Sequence, residues 1–161
     1  MPVVELLVCG EALRGDDGVA AAIVDALPRA TAAMTRVRPV GQLMPDDLLG
    51  DGAPVIVIDA VDGPPAGEVI DLELPAIAAR EPGDFVPSSC HALPLTMVVG
   101  IANQLRASPL QGRFVGIAGR DWEIGAALSP TVAISVPEAA ERVAHWVRRL
   151  SAQEGRGGEC A

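Results

Sequence analysis

VVELLVCGEALRGDDGVAAAIVDALP, residues 3–28, is the stretch that decides the fold of this chain. Val3 to Cys9 is an apolar run broken only by Glu5, as expected of a strand covered on both faces. The Gly10 to Gly18 loop follows. DDGVAAAIVDALP then reads as a helix, with Asp16 or Asp17 capping its free N–H groups and Pro28 stopping it. Strand, loop and helix in that order form the opening unit of an α/β fold.

The rest of the chain repeats the theme. Thr35 to Val40 alternates apolar residues with Arg36 and Arg38 and predicts a second strand with one polar side, and a short helix is expected over Asp46 to Leu49. Pro54 to Val61 is another buried-strand run that contains Asp59, and DGPPAG then turns the chain into an alternating strand at a sheet edge, Glu68 to Leu74. Residues 75–89 lack periodicity, as long functional loops often do. A helix is expected from about His91 to Arg106, and a strand over Gly112 to Gly119. Ser135 with Glu138 forms a capping-box pattern ahead of an amphipathic helix to about Leu150. Strands alternating with helices predict a three-layer α/β sandwich with a mainly parallel sheet, one domain over residues 1–154 and a disordered glycine-rich tail at 155–161.

Composition narrows the function. Half of the 161 residues are apolar, but they include only two Trp, two Phe and no Tyr, so the core is built from aliphatic layers. A net charge of −9, with arginine as the sole basic residue type apart from two histidines, argues against nucleic acid as a partner. No apolar run reaches the roughly 18 residues needed to cross a bilayer, and no basic leader precedes the first strand, so a soluble cytoplasmic protein without a membrane partner is expected. Cys9, Cys90 and Cys160 show no CxxC spacing, which implies neither a disulfide framework nor a structural zinc site.

Three segments place acidic or imidazole side chains where strands run out: GEALRGDDGVA at 10–20, VIVIDAVDG at 55–63 and SSCHALPL at 88–95. Asp17, Asp59 and His91 would supply an oxygen and nitrogen ligand set suited to nickel or zinc, at the strand ends where open α/β sheets collect ligands. Simpler roles exist for each residue. The Asp16-Asp17 pair suits helix capping, worth about 1 kcal/mol. A lone histidine such as His91 or His145 is commonly a hydrogen-bonded structural residue. Asp59 is harder to explain that way, because a carboxylate at the end of PVIVID needs a cation or several donors. GxSxG, HExxH and Walker A patterns are absent, and GEALRGDDG departs from GxGxxG while carrying charge that repels a pyrophosphate.

Four blocks in order resemble the hydrogenase maturation proteases, endopeptidases that trim the C-terminus of the large subunit of nickel-iron hydrogenases. They are Gly10, Leu13, Asp16, Asp17 and Gly18 after the first strand; VIVIDAVDGPPAG; Ser89, Cys90 and His91 before an apolar helix; and FVGIAGRDWEIGAALSPTV before the last one. The resemblance covers nearly the whole chain and implies a twisted sheet of about five strands flanked by helices. It matches Asp17, Asp59 and His91 to the family's metal-binding positions. It also implies an enzyme without a permanent cofactor, whose partner is a large-subunit precursor that brings its own nickel. Asp16, Glu11 and Asp62 are then candidates to receive the proton from an attacking water. Glu11 stands where the family usually has Asn, Ala20 replaces a frequent Gly, and the glycine-rich block after the second strand is reduced to VGQLMPDD. Two other readings fit the same residues: a metallohydrolase that keeps its own metal, and a nickel- or hydrogenase-binding chaperone that does not cut.

Overall fold

The apolar runs become the middle of a sheet. In the computed structural model, which describes residues 3–81 and 93–157 and the side chains of 3–81 and 93–153, five strands lie in the order β2-β1-β3-β5-β4. They are β1 (Val4–Cys9), β2 (Thr35–Gly41), β3 (Val55–Val61), β4 (Val69–Glu73) and β5 (Gly112–Ala118). All neighbours run parallel except β4, which pairs antiparallel with β5 and closes one edge. This is the expected α/β sandwich.

Alternation along the strands sorts side chains into two cores. Leu6 and Val8 of β1, Ile56 and Ile58 of β3 and Val115 and Ile117 of β5 pack against α1 (Val19–Asp25) and the long last helix. Leu7, Cys9, Val57, Val61 and Phe114 face the other way. That layer is covered by a 3-10 turn at Pro45–Leu48, by α3 (Leu74–Ile77), which follows the single-turn α2 (Arg29–Ala32), and by α4 (Leu95–Leu105). Because β1 sends its crossover to β2 on one side and β3 lies on the other, the strand order reverses between β1 and β3. Crevices of α/β sheets open at the carboxyl ends of such a pair.

Three expectations are corrected. A capping box at Ser135 and Glu138 would start the last helix there, but α5 spans Pro130–Gly157, with Pro137 inside it. Proline suits the first helical position, where its missing N–H costs nothing, so Pro130 opens the helix. Ser135 is therefore internal, and its hydroxyl donates to the Gly67 carbonyl at 2.6 Å, pinning the turn before β4. Of the expected tail, residues 155–157 continue α5, and 158–161 lie outside the described residues. The aspartates of the first loop do not cap α1 either. A 3-10 turn, Gly15–Gly18, stands between, and α1 has no side-chain cap.

The antiparallel edge is locked to α5 by one polar cluster. Asp71 of β4 accepts from Arg113 of β5 at 2.7 and 3.1 Å and from the Trp146 indole N–H at 2.8 Å. The Arg113 guanidinium also lies 3.8 Å above the Trp146 ring, a cation-π contact. Among the described residues no helix is long and apolar enough to cross a membrane.

Candidate active site at the sheet switch point

Asp17 and Asp59 come together at the reversal point. Asp17 ends the loop after β1, in the 3-10 turn, and is 5% exposed. Its Oδ2 accepts the Glu11 backbone N–H at 2.8 Å, so the loop folds back onto its own carboxylate. Asp59 lies on β3 opposite Gly116 of β5, and alternation with Val57 and Val61 puts it on the α4 side of the sheet. Cys9 of β1 shares that face. His91, the third expected ligand, and Cys90 lie outside the described residues, as does residue 92; α4 begins at Leu95 behind an N-cap Pro94. Among the described residues, no three His, Cys, Asp or Glu side chains converge as a metal cluster.

Electrostatics single out Asp59. Burial pushes its pKa up to about 8, the Asp17 charge adds to the rise, and the 2.8 Å bond from the Ala60 N–H only partly offsets them. The side chain is only half-buried by surface area, yet it is set in the middle of the sheet between β1 and β5. Burial and the Asp17 charge therefore favour its protonated form at neutral pH. Strongly raised carboxyls beside a second carboxylate concentrate at functional sites, which makes Asp59 with Asp17 the candidate here. Cys9 is free and buried, and its thiol is pushed well up by burial, then by the charges of Asp59, Asp47 and Asp17. It is a packing residue, not a nucleophile.

Asp16 does something the sequence did not suggest. The side chain is fully buried and accepts four hydrogen bonds, all from the loop after β5. Arg120 N and Asp121 N reach Oδ2 at 2.9 and 3.0 Å, Ser129 N reaches Oδ1 at 2.7 Å, and the Ser129 hydroxyl reaches Oδ2 at 2.9 Å. Burial alone would raise its pKa, but the bonds from Arg120, Ser129 and Asp121 outweigh it and hold the group below the ordinary carboxylate value. A carboxylate so saturated is a poor proton acceptor. Glu11 and Asp62 are exposed at the same sheet edge.

Close approach at Gly10 fixes the geometry. Its φ is +87°, and a Cβ there would sit 2.1 Å from the Asp17 carbonyl oxygen. Gly10→Ala is therefore expected to move the Asp17 turn and to cost about 2 kcal/mol or more from backbone strain alone. Urea titration checks the loss; an unchanged midpoint would show that the turn tolerates a side chain.

No protein-family model matches the sequence, and no curated protein matches it. Solved structures do. The hydrogenase maturating endopeptidase HybD from E. coli superposes with a TM-score of 0.67 at 23% identity, over 91% of this chain and 93% of that one. The endopeptidase HycI from Escherichia coli gives 0.63 at 19%, over 89% and 90%. The [NiFe] hydrogenase maturation protease HybD from Thermococcus kodakarensis gives 0.60 at 19%, over 90% and 99%. At such identities the likeness establishes a common fold, along nearly the full length of each chain.

Proposed function

We propose that this protein is a maturation endopeptidase that removes a C-terminal extension from the nickel-loaded precursor of a nickel-iron hydrogenase large subunit. The observation that carries the reading is the pair Asp17 and Asp59 at the sheet switch point, where burial and the Asp17 charge push the Asp59 pKa up to about 8. The fold common to solved maturation proteases supports it, as does the ordered motif resemblance.

In this reading Asp17, Asp59 and His91 hold nickel that arrives with the substrate. Fixing the metal fixes the adjoining peptide, so positioning does much of the work. Asp59 must give up its proton when nickel binds, which couples docking to proton release. The Glu11 N–H fixes the Asp17 carboxylate, and Glu11 or Asp62 receives the proton of the attacking water. The protein acts as a soluble cytoplasmic hydrolase of the carboxylate-dependent kind, with no permanent cofactor and no nucleic-acid or membrane partner.

Intact-mass analysis of a large-subunit precursor from the same cells, nickel-loaded and nickel-free, tests this. The expected result is loss of a C-terminal peptide only from the nickel-loaded form, and none with His91→Ala. A stable complex with unchanged precursor mass would replace protease by chaperone. Tight stoichiometric metal in the purified protein, with cleavage of nickel-free precursor, would replace it by a self-sufficient metallohydrolase.

A further inference from the structure

We infer that Asp16 is a positioning residue, which sets the direction of Asp17 by riveting the loop after β1 to the loop after β5. Its carboxylate engages three residues of the second loop, Arg120, Asp121 and Ser129, through four bonds of 2.7 to 3.0 Å. Backbone bonds finish the seam: Asp16 N–H to the Asp121 carbonyl at 2.8 Å, Gly15 N–H to Ala126 at 3.2 Å and Gly125 N–H to Leu13 at 2.7 Å. The contact is close enough that a Cβ on Gly119 would lie 2.9 Å from the Asp16 Cβ.

The turn that holds both aspartates makes this seam consequential. Gly15–Gly18 is a 3-10 turn with three residues per turn, so successive side chains diverge by about 120°. With Asp16 committed to the second loop, Asp17 is left facing back toward Gly10 and Glu11, where it takes the Glu11 N–H at 2.8 Å. Two adjacent carboxylates thus divide the labour. One is saturated and buried, and its saturation aims the other.

For its effect on catalysis this inference rests on the processing function proposed above; for its geometry it does not. Amide hydrogen exchange separates the two. In Asp16→Asn the side-chain amide turns one acceptor into a donor facing other donors, so the seam opens. The Glu11 amide should then exchange at least tenfold faster, while Val57 and Ile58 in the middle of β3 keep their rates. Faster exchange at Arg120, Asp121 and Ser129 with Glu11 unchanged would overturn the inference, because Asp16 would then anchor only the far loop. Should Asp16→Asn also loosen β3, the milder Ser129→Ala, which removes the hydroxyl donor alone, decides by the same comparison. With nickel-loaded precursor at a temperature where the variant is fully folded, kcat should fall at least tenfold with KM within threefold. An unchanged kcat would also overturn the inference. Absence of cleavage by the parent protein would instead count against the processing function and leave the exchange result to decide.

Discussion

Replacing Asp59 by Asn should make the protein more stable at pH 8 and leave it little changed at pH 4. In the native state Asp59 titrates near 8, whereas an unfolded aspartate titrates near 3.8. Between those values the unfolded chain has released the proton and the native one has kept it. The native state then binds more protons, so stability falls as pH rises from about 4 to about 8 and is level above that. Asparagine has no proton to lose and escapes the decline. Each pKa unit corresponds to about 1.4 kcal/mol, and partial access of water reduces the full difference, so a gain of about 3 kcal/mol at pH 8 is expected. Urea midpoints at pH 4.5, 6 and 8 measure it. Parallel curves for the two proteins would show that Asp59 titrates normally. The same variant should lose cleavage of the nickel-loaded precursor by at least a factor of about 100, since a neutral amide is a poor ligand for a divalent ion. A more stable, inactive protein signals strain kept for function.

Asp71→Ala is the second large change. It leaves the Arg113 guanidinium, 13% exposed, and the Trp146 indole N–H without their shared acceptor. Breaking one side of such a pair strands a largely buried charge, and a loss of about 3 kcal/mol is expected. For a domain of this size that lowers the melting temperature by roughly 6–12 °C. Trp146 should also shift its fluorescence to the red as water reaches the ring. Glu73→Ala is the control. Its carboxylate is 69% exposed and 3.4 Å from Arg113, and an exposed pair of that kind contributes at most about 1 kcal/mol. Equal losses in both variants would mean that the cluster acts through the general charge of this corner rather than through Asp71.

Most of the fold was legible because buried strands announce themselves. VVELLVC and PVIVID are too apolar for anything but the middle of a covered sheet, and the alternation in Glu68 to Leu74 marked the edge that β4 occupies. The start of α5 was not legible. Pro137 and the Ser135/Glu138 pattern look like a helix N-terminus, and what overrides them is the packing of Val132 into the core one turn before Pro137. In the candidate site, Asp17 and Asp59 could be picked out from strand ends. The difference between Asp16 and Asp17 could not. Adjacent residues of one type separate only when one meets donors from elsewhere, and no local pattern points from GDDG to ALSP. The sole trace was the serine just ahead of Pro130.

The donors that fill Asp16 stand 104 to 113 positions further along the chain. During synthesis the first strand and its turn therefore leave the ribosome long before their fastener exists. Contacts of such span close late, because loop closure must precede any gain from them. A nascent chain that ends before Ser129 lacks half of the bonds that seat Asp16, and the turn carrying Asp17 is not yet set. Competence for the site thus waits on the loop after β5, and a product that stops short of Ser129 lacks the donors to acquire it.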